Sequence, residues 1–345
     1  MSDKPILATP LFPSFSGMYP MMRYALGTTL IMVAALGLDY SLAYMTPVLA
    51  VNFFVPGAKP PSLKTAVTFL MVVAVAIFTG IIFSRFFLDY PLVFLPLLIL
   101  ILFHIYYIES FHQIKVWFII SLLVIPMISL ESDQLGKTIG LNLFLNALLA
   151  ISLVLIVYFI FPGNGLASGK KKTIVTVSVT SHQRFVSASK KVVVIMPVLL
   201  LFFVFSLNDA LLILIFVALL SMNPAFADKK AGIALIIANL GGGLAAILAF
   251  NLLTVVTELY FAGLLTLFFS LIFGERLFSN KPLSALFGTA YSTFLLIVGN
   301  VTSTTGEAGE IVWARIFQLT IVVVYLVVAF SFLDYLIPDN NNKKV

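Results

Sequence analysis

Residues 138–161 read TIGLNLFLNALLAISLVLIVYFIF, an apolar stretch without a charged side chain. The stretch is longer than the run of about 20 apolar residues that a helix needs to cross a hydrocarbon core about 30 Å thick. A helix pairs its own backbone groups inside a bilayer, whereas a run of this length is too long for a core strand. The stretch therefore predicts a membrane-spanning helix.

The composition extends this interpretation to the whole chain. Of 345 residues, 61% are hydrophobic and 10% are charged, and the mean hydropathy is +1.13. Soluble domains contain about 45–50% apolar and about 25% charged residues, so a soluble globular domain is excluded. The absence of cysteine excludes disulfide frameworks and thiolate chemistry. The alternation typical of outer-membrane strands is missing, which favours helices over a β-barrel.

Charged residues and turn residues divide the chain into apolar segments. From them we predict an all-α integral membrane protein with about 12 transmembrane helices. The predicted spans are about 22–38, 41–56, 64–84, 91–108, 114–130, 138–161, 191–207, 210–226, 231–254, 258–274, 282–300 and 311–334.

Basic residues predict the orientation of these spans. With a cytoplasmic N-terminus, most of the 20 lysine and arginine residues, Arg23 among them, lie in cytoplasmic loops and tails. Only Arg85 and Lys137 fall in outside loops. Basic residues concentrate on the cytoplasmic side of membrane proteins. We therefore predict a multi-pass protein of the bacterial inner membrane with both termini cytoplasmic. The net charge of +6 then reflects topology, not a nucleic-acid surface.

The two halves of the chain resemble each other in their charges and turns. We predict a first six-helix repeat at 1–162, a basic cytoplasmic linker at 163–190, and a second six-helix repeat with a short tail at 191–345. Six spans per unit is an even number, so the two repeats are parallel. The linker fits a short strand and part of a helix equally well.

Two predicted spans, 41–56 and 210–226, are short and occupy matching places in the repeats. Short segments at matching places indicate a transport site. A tilted helix or a locally thinned membrane explains them equally well.

Several residues together resemble a known family. They are Arg23, Asn52, the acidic turns at Asp39 and Asp209, the pair Asn223-Pro224, and Trp313-Ala-Arg315 in the last span. This pattern resembles the fusaric acid resistance family, which includes aromatic carboxylic acid exporters, in a compact branch without the large cytoplasmic domains. The resemblance implies an inner-membrane exporter of small organic anions that works with a periplasmic membrane-fusion adaptor. Plant malate channels resemble one such repeat, which keeps a passive organic-anion channel as an alternative.

Polar residues within spans are candidate substrate contacts, because they are costly in a bilayer. Arg315 and Gln318 share a helical face and would present a cation and an amide to a carboxylate. Arg315 would alternatively snorkel to the outer surface. Asn142 and Asn239 would supply further hydrogen bonds. Helix–helix hydrogen bonding accounts for Asn142 and its neighbour Asn146 equally well.

Other features allow two interpretations each. The glycines at 241–243 predict either close helix contact or local unwinding, and we favour close contact. Asp39 and Asp209 are candidate proton-coupling residues, or solvated turn residues. His104 lies in a tyrosine-rich segment that fits an interfacial aromatic belt.

Motifs for enzyme chemistry are missing from the sequence. No phosphate-binding glycine loop is present, and the three histidines are not paired as metal ligands. We therefore predict no enzyme activity, no cofactor and no metal. The predicted function is proton-driven efflux of small organic anions, with a passive channel or a non-transporting membrane assembly subunit as alternatives. Lipid-facing phenylalanines are compatible with a homo-oligomer.

Overall fold

The computed structural model describes most of the membrane-forming part of the chain. The described residues are 18–38, 42–108, 112–162, 181–205, 229–279 and 283–302, with shorter groups at 217, 317, 321, 324–326, 328–330 and 332–333. Every regular element within these ranges is helical. In chain order the longer helices are α1 (Tyr19–Gly37), α2 (Met45–Val51), α3 (Leu63–Phe87), α4 (Pro91–Tyr107), α5 (His112–Ser129), α6 (Asp133–Ile160), α7 (Ser181–Phe205), α8 (Lys229–Leu253), α9 (Leu259–Leu277) and α10 (Ser284–Thr302).

Several of these helices have the length and composition of membrane spans. Five qualify on both counts, namely α1, α3, α6, α7 and α9. Shorter apolar stretches lie in α4, α5, α8 and α10. Large apolar side chains such as Leu92, Phe159 and Phe268 are exposed on the helix surfaces, as expected for residues that face lipid. The helices suggest a multi-pass membrane protein, which confirms the predicted class at this level.

The helix boundaries differ most from the predicted spans at two places. The segment predicted as the span 41–56 contains only the seven-residue helix α2. At about 1.5 Å per residue, α2 is about 10 Å long, too short to cross a hydrocarbon core alone. Leu42 precedes it with φ of 62°, and Gly57 follows with φ of 81°. These left-handed residues belong to the turns that limit the helix.

Helix α7 begins at Ser181, ahead of the predicted start at 191. Hydropathy marks only the apolar part of a span, whereas the helix continues through the polar segment SHQRFVSASK. The first part of the predicted linker, residues 163–180, lies outside the described residues. So do most of the predicted spans 210–226 and 311–334.

The helices divide into two compact units. Unit 1 contains the described residues within 1–68, 145–174 and 234–316, and unit 2 contains those within 69–144, 175–233 and 317–345. Each unit takes residues from both halves of the chain. The units are therefore a different division from the predicted repeats, which stay a prediction.

Unit 1 is built around α1, which runs antiparallel to α9. At one end of this pair Leu259 lies beside Gly37, and near the other end the Ser270 hydroxyl donates to the Ala25 carbonyl at 3.3 Å. Helix α10 lies against α9, with the rings of Phe269 and Phe294 4.7 Å apart. The core of unit 1 is therefore aromatic as well as aliphatic.

Unit 2 packs α4 antiparallel to α7. The ring of Phe94 stacks on Phe203 at 5.6 Å, and Phe103 meets Phe185 edge-on at 5.3 Å. In the same unit Gly80 of α3 faces α5 so closely that an added Cβ would lie 2.6 Å from the Ser121 carbonyl oxygen. Small residues thus bring the backbones of α3 and α5 together.

An exposed ionic cluster joins the end of α3 to the start of α6 in unit 2. The Asp133 carboxylate lies 3.8 Å from the Arg85 guanidinium and 2.6 Å from the Lys137 ammonium. This geometry brings Arg85, in the last turn of α3, close to Lys137, near the start of α6. It agrees with the predicted placement of both bases on one side of the membrane.

Candidate functional site

Helix α1 contains a π-helical turn at Arg23–Gly27, with α-helix on both sides. A π-helical turn inside an α-helix frequently marks a functional position. Four of its five residues are buried. A Cβ on Gly27 would lie 2.7 Å from the side chain of Val157, so the glycine permits α1 to approach α6 closely. The turn therefore lies in a tightly packed part of unit 1.

Arg23 is the buried cation of this turn, and its side chain is only 2% exposed. Its guanidinium donates to the Phe161 carbonyl oxygen at 2.9 Å and lies 4.6 Å from the centre of the Tyr158 ring. The Tyr158 hydroxyl in turn donates to the Phe53 carbonyl at 2.8 Å. A cation beside the last carbonyl groups of a helix is favourable, because the helix dipole is negative there. Arg23 therefore caps the C-terminal end of α6.

The sequence predicts Arg23 to be a cytoplasmic basic residue at the start of the span 22–38, and the structure places it inside α1. Helix α1 begins at Tyr19, ahead of the predicted start at about 22, which places Arg23 one turn inside the helix. A buried arginine in a long apolar helix is a candidate functional residue, since ionisable groups inside membrane helices are rare and usually serve substrates, protons or partner helices.

A cluster of buried hydroxyl groups lies beside the π-helical turn, contributed by α1, α9 and α10. The Thr28 and Tyr291 hydroxyl groups are hydrogen-bonded to each other at 3.0 Å. The Ser270 hydroxyl has acceptors in the Leu267 carbonyl at 2.7 Å and the Ala25 carbonyl. All three hydroxyl-bearing side chains have no exposed surface. The Thr28 hydroxyl also donates to the Tyr24 carbonyl at 2.5 Å, so the three hydroxyl groups are satisfied within the protein and link α1 to α9 and α10.

Tyr24 differs from its neighbours in this cluster. Its side chain is fully buried, yet its hydroxyl oxygen has no hydrogen-bond partner within the described part of the chain. The Tyr24 ring lies 5.2 Å from Tyr291 and 5.8 Å, edge-on, from Phe278. Gly274 faces the ring, where an added Cβ would lie 3.1 Å from its edge. The ring is therefore well packed while its polar atom is unsatisfied.

Asn239, a predicted substrate contact, lies in α8 of unit 1 and is 8% exposed. Its side-chain oxygen accepts a 2.7 Å hydrogen bond from the Thr293 hydroxyl of α10. Helix α8 continues without interruption through the glycines at 241–243. A Cβ on Gly242 would overlap the carbonyl oxygen of Ala290. At this site the structure thus favours close helix contact over local unwinding.

Two asparagines of α6 differ in their surroundings. Asn142, a predicted substrate contact, is half-buried and makes interactions of its own. Asn146 is fully buried, and its side-chain oxygen accepts a 2.9 Å hydrogen bond from the Thr46 hydroxyl of α2. For Asn146, helix–helix hydrogen bonding is the observed role.

Four of the predicted site residues lie outside the described residues. They are the substrate contacts Arg315 and Gln318 and the proton-coupling candidates Asp39 and Asp209. Their roles stay predictions. Asn142 lies in unit 2 and Asn239 in unit 1.

The tyrosine-rich end of α4 is described up to Ile108. His104 is exposed, and Tyr106 lies 5.7 Å from the Lys191 ammonium. This mixture of aromatic rings with basic groups at a helix end is typical of a membrane interface. Within the described ranges, no group of three or more histidine and acidic residues is arranged to hold a metal ion.

Sequence reasoning missed the cluster around the π-helical turn. One signal was present, because Arg23 directly precedes Tyr24 at the start of an apolar run. Tyr291 and Ser270 carried no comparable signal, since single hydroxyl residues are common in spans. Only the packing of α9 and α10 against α1 identifies them.

Comparison with known families gives a match that includes part of this site. Residues 20–157 match the model of a protein family of unknown function, DUF2955. The match covers 138 of the 345 residues. It includes the π-helical turn of α1 and reaches into the last turn of α6. Comparisons with curated proteins and with solved structures gave no match.

Proposed function

We propose that this protein is an efflux transporter of small organic anions, including aromatic carboxylates, in the bacterial inner membrane. In this proposal twelve spans form two parallel repeats, both termini are cytoplasmic, and a proton gradient drives export. A periplasmic membrane-fusion adaptor would continue the export path. The long apolar helices support the membrane location, and the resemblance of the sequence to fusaric acid resistance proteins supports the substrate class and the adaptor.

The buried Arg23 is the observation that carries the proposal. A charged side chain buried inside a membrane protein is costly and rare, so its presence indicates a role beyond packing. Arginine suits an organic anion because its planar guanidinium can donate two parallel hydrogen bonds to a carboxylate. The Tyr158 ring covers one face of the guanidinium and holds its orientation. We therefore assign Arg23 to anion recognition alongside the predicted contacts Arg315, Gln318, Asn142 and Asn239.

Arg23 also caps α6, so a purely structural role is the competing explanation. The two roles differ in what a neutral replacement changes. Arg23→Gln keeps hydrogen-bond donors for the Phe161 carbonyl but removes the charge. If Arg23 only caps α6, the folded Arg23→Gln variant should transport normally. If Arg23 recognises the anion, the variant should lose transport. Arg276→Gln is a matched control, because Arg276 is exposed at the end of α9.

Counterflow in proteoliposomes tests the proposed function. Purified protein is reconstituted, a pH gradient is imposed, and the uptake of radiolabelled benzoate is measured. A proton-driven transporter would accumulate benzoate above equilibrium, a passive channel would only equilibrate it, and an assembly subunit would produce no flux. We expect accumulation by the wild type and the Arg276→Gln variant, and its loss in the Arg23→Gln variant. Accumulation by Arg23→Gln at the wild-type rate would contradict the role of Arg23.

The same assay tests the proposed energy coupling. Neutral variants of Asp39 and Asp209 are expected to retain benzoate exchange but to lose uphill accumulation, because a carboxylate that changes protonation with access is needed for coupling. Uphill accumulation by the double variant would assign coupling to other residues.

A further inference from the structure

Tyr24 holds a hydrogen-bond donor in a place where the folded protein does not use it. Its side chain has no exposed surface, and its hydroxyl has no partner within the described ranges. A buried polar group without a partner destabilises a fold, and native proteins keep few of them. Phenylalanine would fill the same space without this cost. The hydroxyl of Tyr24 is therefore not explained by packing.

The neighbouring hydroxyl groups show how this core satisfies polar atoms when only structure is required. Thr28 pairs with Tyr291, and Ser270 has backbone acceptors on α9 and α1. Thr28 lies one helical turn from Tyr24, and Tyr291 packs beside the Tyr24 ring. Ser270 donates to the carbonyl of the next residue, Ala25. Tyr24 is the exception in a cluster that is otherwise paired.

The location of Tyr24 indicates the kind of acceptor that it suits. It directly follows Arg23 in the π-helical turn, but the two side chains face different neighbours: Arg23 contacts the end of α6, whereas the Tyr24 ring lies against α9 and α10. A tyrosine hydroxyl can donate to an acceptor oxygen, and donation to a charged acceptor is stronger than donation to a neutral one. The Tyr24 hydroxyl by itself therefore suits an anionic oxygen, such as that of a carboxylate.

We propose that the Tyr24 hydroxyl is a substrate contact that donates a hydrogen bond to an acceptor oxygen of the transported anion. This inference rests on the proposed function and adds a donor that no other observation assigns. Because the Tyr24 side chain is fully buried, this contact requires the packing around its ring to open during the transport cycle.

Tyr24→Phe tests the proposal, with Tyr291→Phe as the matched control. Both substitutions remove one hydroxyl from the same cluster. Tyr24→Phe removes an unpaired group, so its thermal stability should equal or exceed that of the wild type. Tyr291→Phe removes the partner of Thr28, so its stability should fall. Heating detergent-solubilised protein and measuring the monodisperse fraction gives this comparison.

Transport of benzoate provides the functional measurement. A donor to a charged oxygen contributes enough that its loss should raise the benzoate concentration for half-maximal counterflow about ten-fold or more. A merely structural Tyr24 would leave this concentration unchanged. We therefore expect Tyr24→Phe to combine undiminished stability with weakened benzoate transport.

The outcomes separate this inference from the proposed function. If the wild type moves benzoate and Tyr24→Phe has the same half-maximal concentration, the inference about Tyr24 is wrong while the transporter stands. If the wild type moves no benzoate, the proposed function fails and the Tyr24 contact fails with it. A fall in stability of Tyr24→Phe would also overturn the inference, because it would reveal a structural partner for the hydroxyl.

Discussion

Replacement of Gly242 by alanine measures how closely α8 and α10 pack. A Cβ at this position would overlap the Ala290 carbonyl oxygen and lie 2.9 Å from its carbon. Both atoms belong to the backbone of α10, so no side chain can rotate to make room. The helices must move apart, and the nearby hydrogen bond between Asn239 and Thr293 would be stretched.

Gly241→Ala is the matched control for this substitution. It adds the same methyl group one residue earlier in the same helix, where no atom lies within 4 Å of the added Cβ. Each variant gains about 1 kcal/mol of helix propensity. Only Gly242→Ala also overpacks a core contact, which costs about 1–3 kcal/mol. We therefore expect Gly242→Ala to be about 1–3 kcal/mol less stable than Gly241→Ala.

Unfolding of each variant by SDS in mixed micelles, followed by circular dichroism, gives the two free energies of unfolding. Comparing the variants with each other cancels the propensity change and most effects on the denatured state. Equal stability of Gly242→Ala and Gly241→Ala would refute the close contact between α8 and α10. It would also reopen local unwinding as the role of the three glycines.

Two further substitutions test contacts elsewhere in the protein. Thr46→Val removes the donor to the buried Asn146 side chain and should lower the free energy of unfolding by about 1–3 kcal/mol. Thr138→Val, at an exposed position of α6, is the control and should change this free energy little. Equal effects of the two substitutions would contradict the Thr46 contact. Arg85→Gln should leave the thermal stability unchanged, because its contact with Asp133 is long and exposed. A clear loss of stability that disappears in high salt would show instead that this ion pair matters.

Hydropathy alone located several helices well. The predicted spans 64–84 and 91–108 correspond to α3 at Leu63–Phe87 and α4 at Pro91–Tyr107. Such agreement has a physical basis, because a long run of apolar residues in a bilayer has few alternatives to a helix. Pro91 adds a local signal, since proline is favoured in the first turn of a helix.

The same reasoning could not place Arg23 or identify α2 as a short helix. A basic residue near the end of an apolar run has the same local pattern whether it faces the cytoplasm or caps another helix. For Arg23 the difference depends on the Phe161 carbonyl, which is far away in the sequence. The limits of α2 depend on left-handed backbone at Leu42, where the residue type provides no warning.

The buried polar groups of the described residues are concentrated in unit 1. Eight of the eleven buried polar or charged side chains in the described residues belong to it. They are Arg23, Thr28, Thr46, Asn146, Asn239, Thr266, Ser270 and Thr293. Unit 2 shows that this chain can pack helices with fewer such groups, since α3 meets α5 through Gly80. Within unit 1, Thr46 pairs with Asn146 and Thr293 with Asn239, so these groups serve helix–helix contact. Arg23, Thr28 and Ser270 lie at or beside the π-helical turn instead, and this is where the proposed transport function is best tested.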